Sequence, residues 1–156
     1  MFLESYLHYY SKNVLKSWFE GNALNETKNI FNEFTYTENE YNDDNILFEY
    51  CIVKDSEYNS IDYAWTDLLG DGVETINPTY EQLKKLNVNV ISVVDMVVMD
   101  NNKPKYFFEV KNTNPVSSTK LERLKRLGMK NLYEIDANYI MKQCGKPNTL
   151  KYDKLI

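Results

Sequence analysis

Residues 89–111 read NVISVVDMVVMDNNKPKYFFEVK and predict a β-hairpin with strands Asn89–Met99 and Lys105–Lys111. β-Branched and aromatic residues, which favour strands, fill both halves. The residues between them, DNNKP, are turn formers, and the chain is expected to reverse at Asn101-Asn102. The sequence therefore predicts two neighbouring antiparallel strands that are apolar over most of their length.

Three charged residues interrupt this apolar hairpin. Asp95 lies within the first strand, and Glu109 and Lys111 share one face of the second because strand side chains alternate. A register with Asp95 opposite residue 109 or 111 gathers all three on one face, whereas a register opposite residue 110 separates them. A carboxylate in an apolar strand is costly unless a cation or hydrogen-bond donors compensate it. The three residues indicate either a functional site or a structural ion pair between Asp95 and Lys111.

The chemistry of these residue types points to a metal centre. Two carboxylates that lie close together repel each other unless a divalent ion lies between them. Oxygen ligands without Cys or His favour Mg²⁺ or Mn²⁺. A lysine beside such an ion can orient an attacking water or stabilise a pentacovalent phosphate. Asp95, Glu109 and Lys111 are therefore predicted to form a centre that hydrolyses phosphodiesters.

The elements predicted around the hairpin give the order helix, three strands, helix, strand. Leu3–Phe19 has helical periodicity and is expected to stop at Gly21 and Asn22. The apolar run Ile46–Val53 predicts a strand covered on both faces. The other predicted elements are a helical segment Asn25–Phe34, a helix Pro78–Leu86 with Asn77 as its N-cap, a helix from a cap at Ser117 or Ser118 to Leu127 with Gly128 after it, a strand Asn131–Asp136 and a helix Ala137–Gln143.

Length and composition predict a single domain over residues 1–156. The chain has 156 residues, 43% hydrophobic and 26% charged, and can bury a core without disulfides. Its N-terminus lacks a secretory pattern, and no apolar run is long enough to span a bilayer. Cys51 and Cys144 match no metal-ligand spacing. An intracellular protein that is neither secreted nor bound to a membrane is expected.

The net charge of −5 hides an uneven distribution. Residues 103–156 carry 12 Lys and Arg against 5 Asp and Glu, a local balance of +7. One basic face is therefore compatible with an acidic protein. Ser117, Lys120 and Arg123, at the start of the helix after the hairpin, are candidates for phosphate contact. The alternative is an ordinary solvated helix face.

The pattern Asp95-x13-Glu109-Val110-Lys111 resembles the signature of the PD-(D/E)XK nuclease superfamily, and the element order is that of its αβββαβ core. Residues 93–124, VVDMVVMDNNKPKYFFEVKNTNPVSSTKLERL, are similar to CoiA-like nuclease domains of competence proteins, including those of large DNA viruses. The resemblance covers residues 1–19, 46–53 and 89–140, with an insertion at about 54–88. Val94 stands where the signature has proline.

The resemblance implies a restriction-endonuclease-like α/β fold, with a mixed central sheet flanked by helices. It implies a metal-dependent DNA nuclease, expected to act as an endonuclease in repair, recombination or DNA processing. Asp95, Glu109 and the backbone carbonyl of Val110 would bind Mg²⁺ or Mn²⁺, and Lys111 would serve the attacking water. Homodimers are common in such nucleases. The expected location is the cytoplasm or nucleus of a host cell, or the virion if the protein is viral.

A further carboxylate often completes such sites, and Glu4 and Glu49 compete for this role. Glu4, His8 and Lys12 form a stripe at four-residue spacing, which is either part of the site or a solvated helix face. Two other functions stay open, an inactive nucleic-acid-binding module and a protein-interaction domain. The sequence leaves open DNA or RNA as substrate, the specificity of cutting, and endo- or exonuclease action.

Overall fold

The computed structural model of the chain describes residues 6–23, 46–54, 77–100, 103–112, 114–143 and 150–156. Over these residues the fold is α/β, with a five-stranded mixed sheet flanked by helices. The elements, in chain order, are α1 (Tyr6–Ala23), β1 (Ile46–Lys54), α2 (Tyr80–Lys85), β2 (Asn89–Asp100), β3 (Lys103–Lys111), α3 (Ser118–Arg126), β4 (Leu132–Asp136), α4 (Ala137–Gln143) and β5 (Asp153–Lys154).

The five strands lie side by side in the order in which they occur in the chain. β1, β2 and β3 are antiparallel neighbours, β4 runs parallel to β3, and β5 returns antiparallel to β4. A parallel pair needs a crossover connection, which α3 supplies between β3 and β4. The predicted mixed sheet with flanking helices is confirmed.

Alternating side chains divide the core into two apolar clusters, one on each face of the sheet. Val98 and Phe108 belong to the cluster that holds α1 and α4, whereas their neighbours Val97 and Phe107 belong to the cluster that holds α2 and α3. The Phe108 ring is fully buried, with its centroid 4.9 Å from that of Phe19 and 5.5 Å from that of Tyr133. The sheet is therefore covered by helices on both faces.

Most of the predicted elements are present within two residues of the expected bounds. The hairpin strands, the strand before them and the strand after α3 are confirmed, and α4 has the predicted ends. Ser117 is the N-cap of α3, and its side chain accepts a hydrogen bond from the Lys120 amide. Gly128 follows α3 with φ +85°, a backbone conformation that glycine adopts without a Cβ penalty.

Two predicted helix boundaries are wrong. α1 continues through Gly21 and Asn22 to Ala23, because a glycine weakens a helix by only about 1 kcal/mol and Trp18 and Phe19 anchor this end in the core. The N-cap of α2 is Thr79 rather than Asn77. Thr79 and Gln82 form a reciprocal capping box, which Asn77 has no matching residue to form.

Other predictions fall wholly or partly outside the described residues. These are the helical segment Asn25–Phe34, the start of the first helix including Glu4, the turn at Asn101-Asn102 and residues 55–76 of the insertion. The short strand β5 was not predicted, since two residues carry no periodicity. In the part of the chain that the structure describes, no helix is both long and apolar enough to cross a membrane.

We expect Phe108→Ala to lower the free energy of unfolding by about 3–5 kcal/mol, because it leaves a cavity between the rings of Phe19 and Tyr133. Urea denaturation followed by circular dichroism measures this loss. Leu86→Ala is the control, because Leu86 is 50% exposed, and it should change the value by less than about 0.5 kcal/mol. Equal losses in the two variants would contradict the described core.

Candidate active site

The hairpin register brings the two predicted carboxylates together. Met96 pairs with Phe108 and Val97 with Phe107, so the next position places Asp95 opposite Glu109. This is one of the two registers that gather the charged residues, and the register opposite residue 110 is wrong. The two carboxyl groups lie close enough for a proton on one to form a hydrogen bond with the other. Glu109 is 7% exposed, which makes it a buried acid.

Asp95 and Glu109 belong to a row of acidic residues that crosses the whole sheet. The β1–β2 pairing leaves Glu49 opposite Asp95, and Glu109 pairs with Glu134, which pairs with Asp153. Each of the five strands thus contributes one acid to this row. Like charges directly opposite each other destabilise a sheet. The acid row therefore needs protons, cations or hydrogen-bond donors.

The backbone departs from regular strand geometry at this row. Glu49 has φ +52°, in the left-handed region that a non-glycine residue rarely adopts. The Asn77 side chain donates to the Phe48 carbonyl at 2.8 Å, directly before this residue. Backbone in unfavoured conformations is frequent at functional sites. The irregularity coincides with the point where β1 meets Asp95.

Helix α1 supplies partners to two acids of the row. His8 Nε2 lies 3.1 Å from Asp95 Oδ2, and one turn later Lys12 Nζ donates to Glu49 Oε1 at 2.5 Å. Lys12 is only 2% exposed, and its ammonium also lies 5.3 Å from the Phe48 ring centroid. The interpretation of His8 and Lys12 as a solvated helix face is therefore wrong.

Helix α3 supplies the lysine that contacts the acid pair. Lys120 Nζ donates to Glu109 Oε1 at 2.6 Å and to the Val93 carbonyl at 3.2 Å. Lys111 lies on the same face of β3 as Glu109, but its ammonium is 3.9 Å from Asp136 Oδ2. The alternative of an ion pair between Asp95 and Lys111 is not seen in the described residues. Lys120, predicted as a phosphate contact, thus occupies the position expected for Lys111.

The environment shifts the two carboxyl pKa values in opposite directions. Burial, followed by repulsion from Asp95, raises the pKa of Glu109 to about 8 although Lys120 opposes the rise. Burial also acts to raise the pKa of Asp95, but hydrogen bonds from His8, Glu109 and the Val110 amide, with the charge of His8, lower it overall. These opposite shifts favour a proton on Glu109 and a negative charge on Asp95.

The donor set fits a hard divalent cation in its chemistry. Asp95 and Glu109 offer carboxylate oxygens, and Val110, whose N–H donates to Asp95 Oδ2 at 2.8 Å, has its carbonyl in the same strand. A buried carboxyl that keeps its proton beside a carboxylate is a group whose proton a cation would displace. Among the described residues, however, no three His, Cys, Asp or Glu side chains are grouped as a metal site. Glu4 lies outside these residues, and Glu49 pairs with Lys12.

The other predicted site residues lie around α3. Ser117 caps the helix, and Arg123, one turn after Lys120, is exposed. A cleft of about 230 Å³ opens beside Lys111 and does not include Asp95 or Glu109. It is lined by Lys111, Glu134, Asp136, Tyr139, Lys151, Tyr152 and Asp153.

Sequence reasoning missed Glu134 as a member of the row. It is 6% exposed and accepts a hydrogen bond from the Val116 amide at 2.9 Å. The signal was present, because Glu134 interrupts the apolar strand NLYEID as Glu109 interrupts KYFFEVK. The stripe of Glu4, His8 and Lys12 indicated His8 as a candidate, but its contact with Asp95 had no signal because the two residues are 87 positions apart in the chain.

No protein-family model, no curated protein and no solved structure matches the chain. The geometry of the acid row is therefore the basis on which a function can be judged.

We expect Glu109→Gln to raise the free energy of unfolding of the metal-free protein by about 1–3 kcal/mol relative to wild type at pH 8. At pH 5 the two free energies of unfolding should be nearly equal. The folded state raises the pKa of this carboxyl from 4.5 to about 8, so the folded wild type binds the extra proton and loses stability as pH rises between these values. Gln keeps both a donor and an acceptor but cannot ionise. Chemical denaturation across this pH range, in EDTA, measures the difference.

The control for this pH dependence is Glu122→Gln, a carboxyl on the exposed side of α3. Its stability curve should follow that of the wild type at every pH. If the Glu109→Gln curve also runs parallel to the wild type between pH 5 and pH 8, the raised pKa of Glu109 is disproved.

Proposed function

We propose that the chain is a metal-dependent nuclease of the PD-(D/E)XK type, which hydrolyses DNA phosphodiester bonds and acts as an endonuclease. The observation that carries this proposal is the buried pair of Asp95 and Glu109, which face each other on β2 and β3 and whose pKa values are shifted in opposite directions. The order α1, β1, β2, β3, α3, β4 is also compatible with a restriction-endonuclease-like core. A buried acid pair lowers the free energy of unfolding. Carboxyl groups with pKa values shifted in this way are concentrated at functional sites, which is a reason for a protein to keep such a pair.

In this proposal Asp95, Glu109 and the Val110 carbonyl hold Mg²⁺ or Mn²⁺. The bound ion would supply Lewis-acid polarisation of the phosphate and acidify a water. His8 and the Val110 amide fix the orientation of the Asp95 carboxylate through their contacts with Oδ2. Glu4 or Glu49 remains the candidate for an additional carboxylate ligand.

The two lysines have separate places in the proposal. Lys120 fixes Glu109 and brings a positive charge to the acid pair, where it can stabilise charge on the phosphate. Lys111, on the same face of β3, is the candidate for orienting the water. Asp136 holds Lys111 from the neighbouring strand, while its other oxygen accepts hydrogen bonds from the Asn138 and Tyr139 amides.

One observation favours a second function, a nucleic-acid-binding module without catalysis. Three acids of the row already have partners from the chain itself, in the ion pairs Lys12–Glu49 and Lys120–Glu109 and in the contact between the His8 ring and Asp95. The charge on these three acids is thus offset in part without a metal ion. The two functions differ in whether the protein binds a divalent cation through Asp95.

We expect wild-type protein to cleave DNA in Mg²⁺ or Mn²⁺ and not in EDTA, and Asp95→Ala to lose at least about 10²-fold of this activity. Supercoiled, linear, single-stranded and branched DNA would be compared as substrates. Asp153→Ala is the matched control, because it removes an exposed acid from the same row two strands beyond Glu109. It should leave cleavage unchanged.

The same assays can also contradict the nuclease proposal. If folded wild-type protein cleaves none of these DNAs, and Mn²⁺ raises its Tm no more than that of Asp95→Ala, the nuclease proposal fails. DNA binding that persists in that case would support the non-catalytic module.

We expect Lys120→Gln to lower cleavage about 10- to 100-fold, because it removes the charge that contacts Glu109. Lys111→Gln, tested beside it, should lower cleavage as well if Lys111 orients the water. Lys142→Gln on α4 is the control for loss of an exposed positive charge. Wild-type rates in Lys120→Gln would contradict the role proposed for this lysine.

A further inference from the structure

Helices α2 and α3 cover the same face of the sheet. Leu83 is the buried residue of α2 and Leu124 that of α3, and both belong to the apolar cluster that contains Val97 and Phe107. The opposite sides of the two helices are therefore directed to solvent. We refer to the exposed residues of α2 and α3, together with Lys130, as the α2–α3 surface.

The α2–α3 surface is strongly basic. Its exposed charged residues are six cations and two acids: Lys84, Lys85, Arg123, Lys125, Arg126 and Lys130, with Glu81 and Glu122. On the other face the exposed charges of the described residues are more evenly balanced, with Lys142, Lys151 and Lys154 against Glu20 and Glu49. Among the described residues the α2–α3 surface thus carries the larger excess of positive charge, and it combines cations from two separate helices.

The α2–α3 surface is also connected to the acid pair. α3 is nine residues long, about 13 Å, and carries Lys120 in its first turn and Arg123, Lys125 and Arg126 in its last. Lys120 reaches Glu109, whereas the later cations lie in solvent. A nucleic-acid backbone that follows α3 towards its N-terminus would therefore pass Lys120, the residue that contacts Glu109.

We infer that the α2–α3 surface binds the phosphate backbone of duplex DNA and that Lys84 and Lys85 of α2 share this contact with the cations of α3. The excess of cations on this surface selects a polyanion, and the contact between Lys120 of α3 and Glu109 relates that polyanion to the acid pair. The choice of DNA as the polyanion rests on the proposed function. Binding by this surface can nevertheless be measured without any cleavage.

The chemistry of the surface predicts binding that is independent of base sequence. Contacts from Lys and Arg to phosphates release counterions, so affinity falls with salt by about 0.9 in the slope of log K against log[salt] for each contact. Tyr80 is 44% exposed, and its ring centroid lies 5.7 Å from the Lys84 ammonium. Its hydroxyl can donate a hydrogen bond to phosphate. The affinity should therefore depend on salt far more than on sequence.

The test measures binding of a labelled mixed-sequence duplex by fluorescence anisotropy, in EDTA and over a range of salt. The variants are Lys84→Gln with Lys85→Gln on α2, and Arg123→Gln with Lys125→Gln on α3. The control pair is Lys142→Gln with Lys154→Gln, which removes the same charge from exposed positions elsewhere. Gln is a good helix former, and Lys154 is exposed on β5, so all variants should keep the wild-type Tm.

We expect each pair on α2 and α3 to weaken binding about 10-fold and to reduce the salt slope by up to about 1.8, with the control near wild type. Wild-type binding by the α2 pair, or equal loss in the control pair, would overturn the inference. So would variants that lose binding to vesicles of anionic lipid but keep binding to the duplex.

The binding and cleavage assays test the α2–α3 surface and the nuclease proposal independently. If the wild type binds duplex through the α2–α3 surface but never cleaves it, the nuclease proposal fails and the surface stands. If the wild type cleaves DNA and the α2 and α3 pairs bind normally, the nuclease stands and the surface fails.

Discussion

The close approach of Asp95 and Glu109 inside an apolar sheet is the constraint on which the rest of the described structure depends. Without a cation between them, two buried carboxyl groups that face each other repel when both are charged, and the resulting free-energy cost must be offset locally. His8 approaches from one helix, Lys120 from another, and the Val110 amide from the adjacent strand. The helices on both faces thus supply charged or polar partners to the acids as well as apolar side chains to the core.

The strands and most helices could be predicted because their evidence is local. Apolar runs such as KYFFEVK and the serine cap before α3 are visible in a few consecutive residues, and they gave bounds within two residues of those described. The helix boundaries failed where local signals compete. Gly21 reads as a stop but is tolerated by a helix end anchored in the core, and Asn77 and Thr79 are both good caps.

The sequence allowed a prediction of which acids meet in the candidate site, but not of which acid each lysine contacts. Alternation placed Glu109 and Lys111 on one face, and the turn allowed a register that adds Asp95. The partner of each lysine depends instead on which element lies within reach of a long side chain. Lys111 meets Asp136 only because β4 runs parallel to β3 in one register, and Lys120 meets Glu109 only because α3 crosses back over the hairpin. No pattern in the sequence contains those two facts.

The acid row also has a consequence for the order in which the chain folds. Each strand that joins the sheet brings another acid opposite the last one, so bare strand pairing accumulates repulsion from β1 to β5. The sheet cannot gain its full pairing energy until α1 and α3 have delivered Lys12, His8 and Lys120. Helix docking and strand pairing are therefore expected to occur in one cooperative step, and a partly folded chain would lack an assembled acid pair.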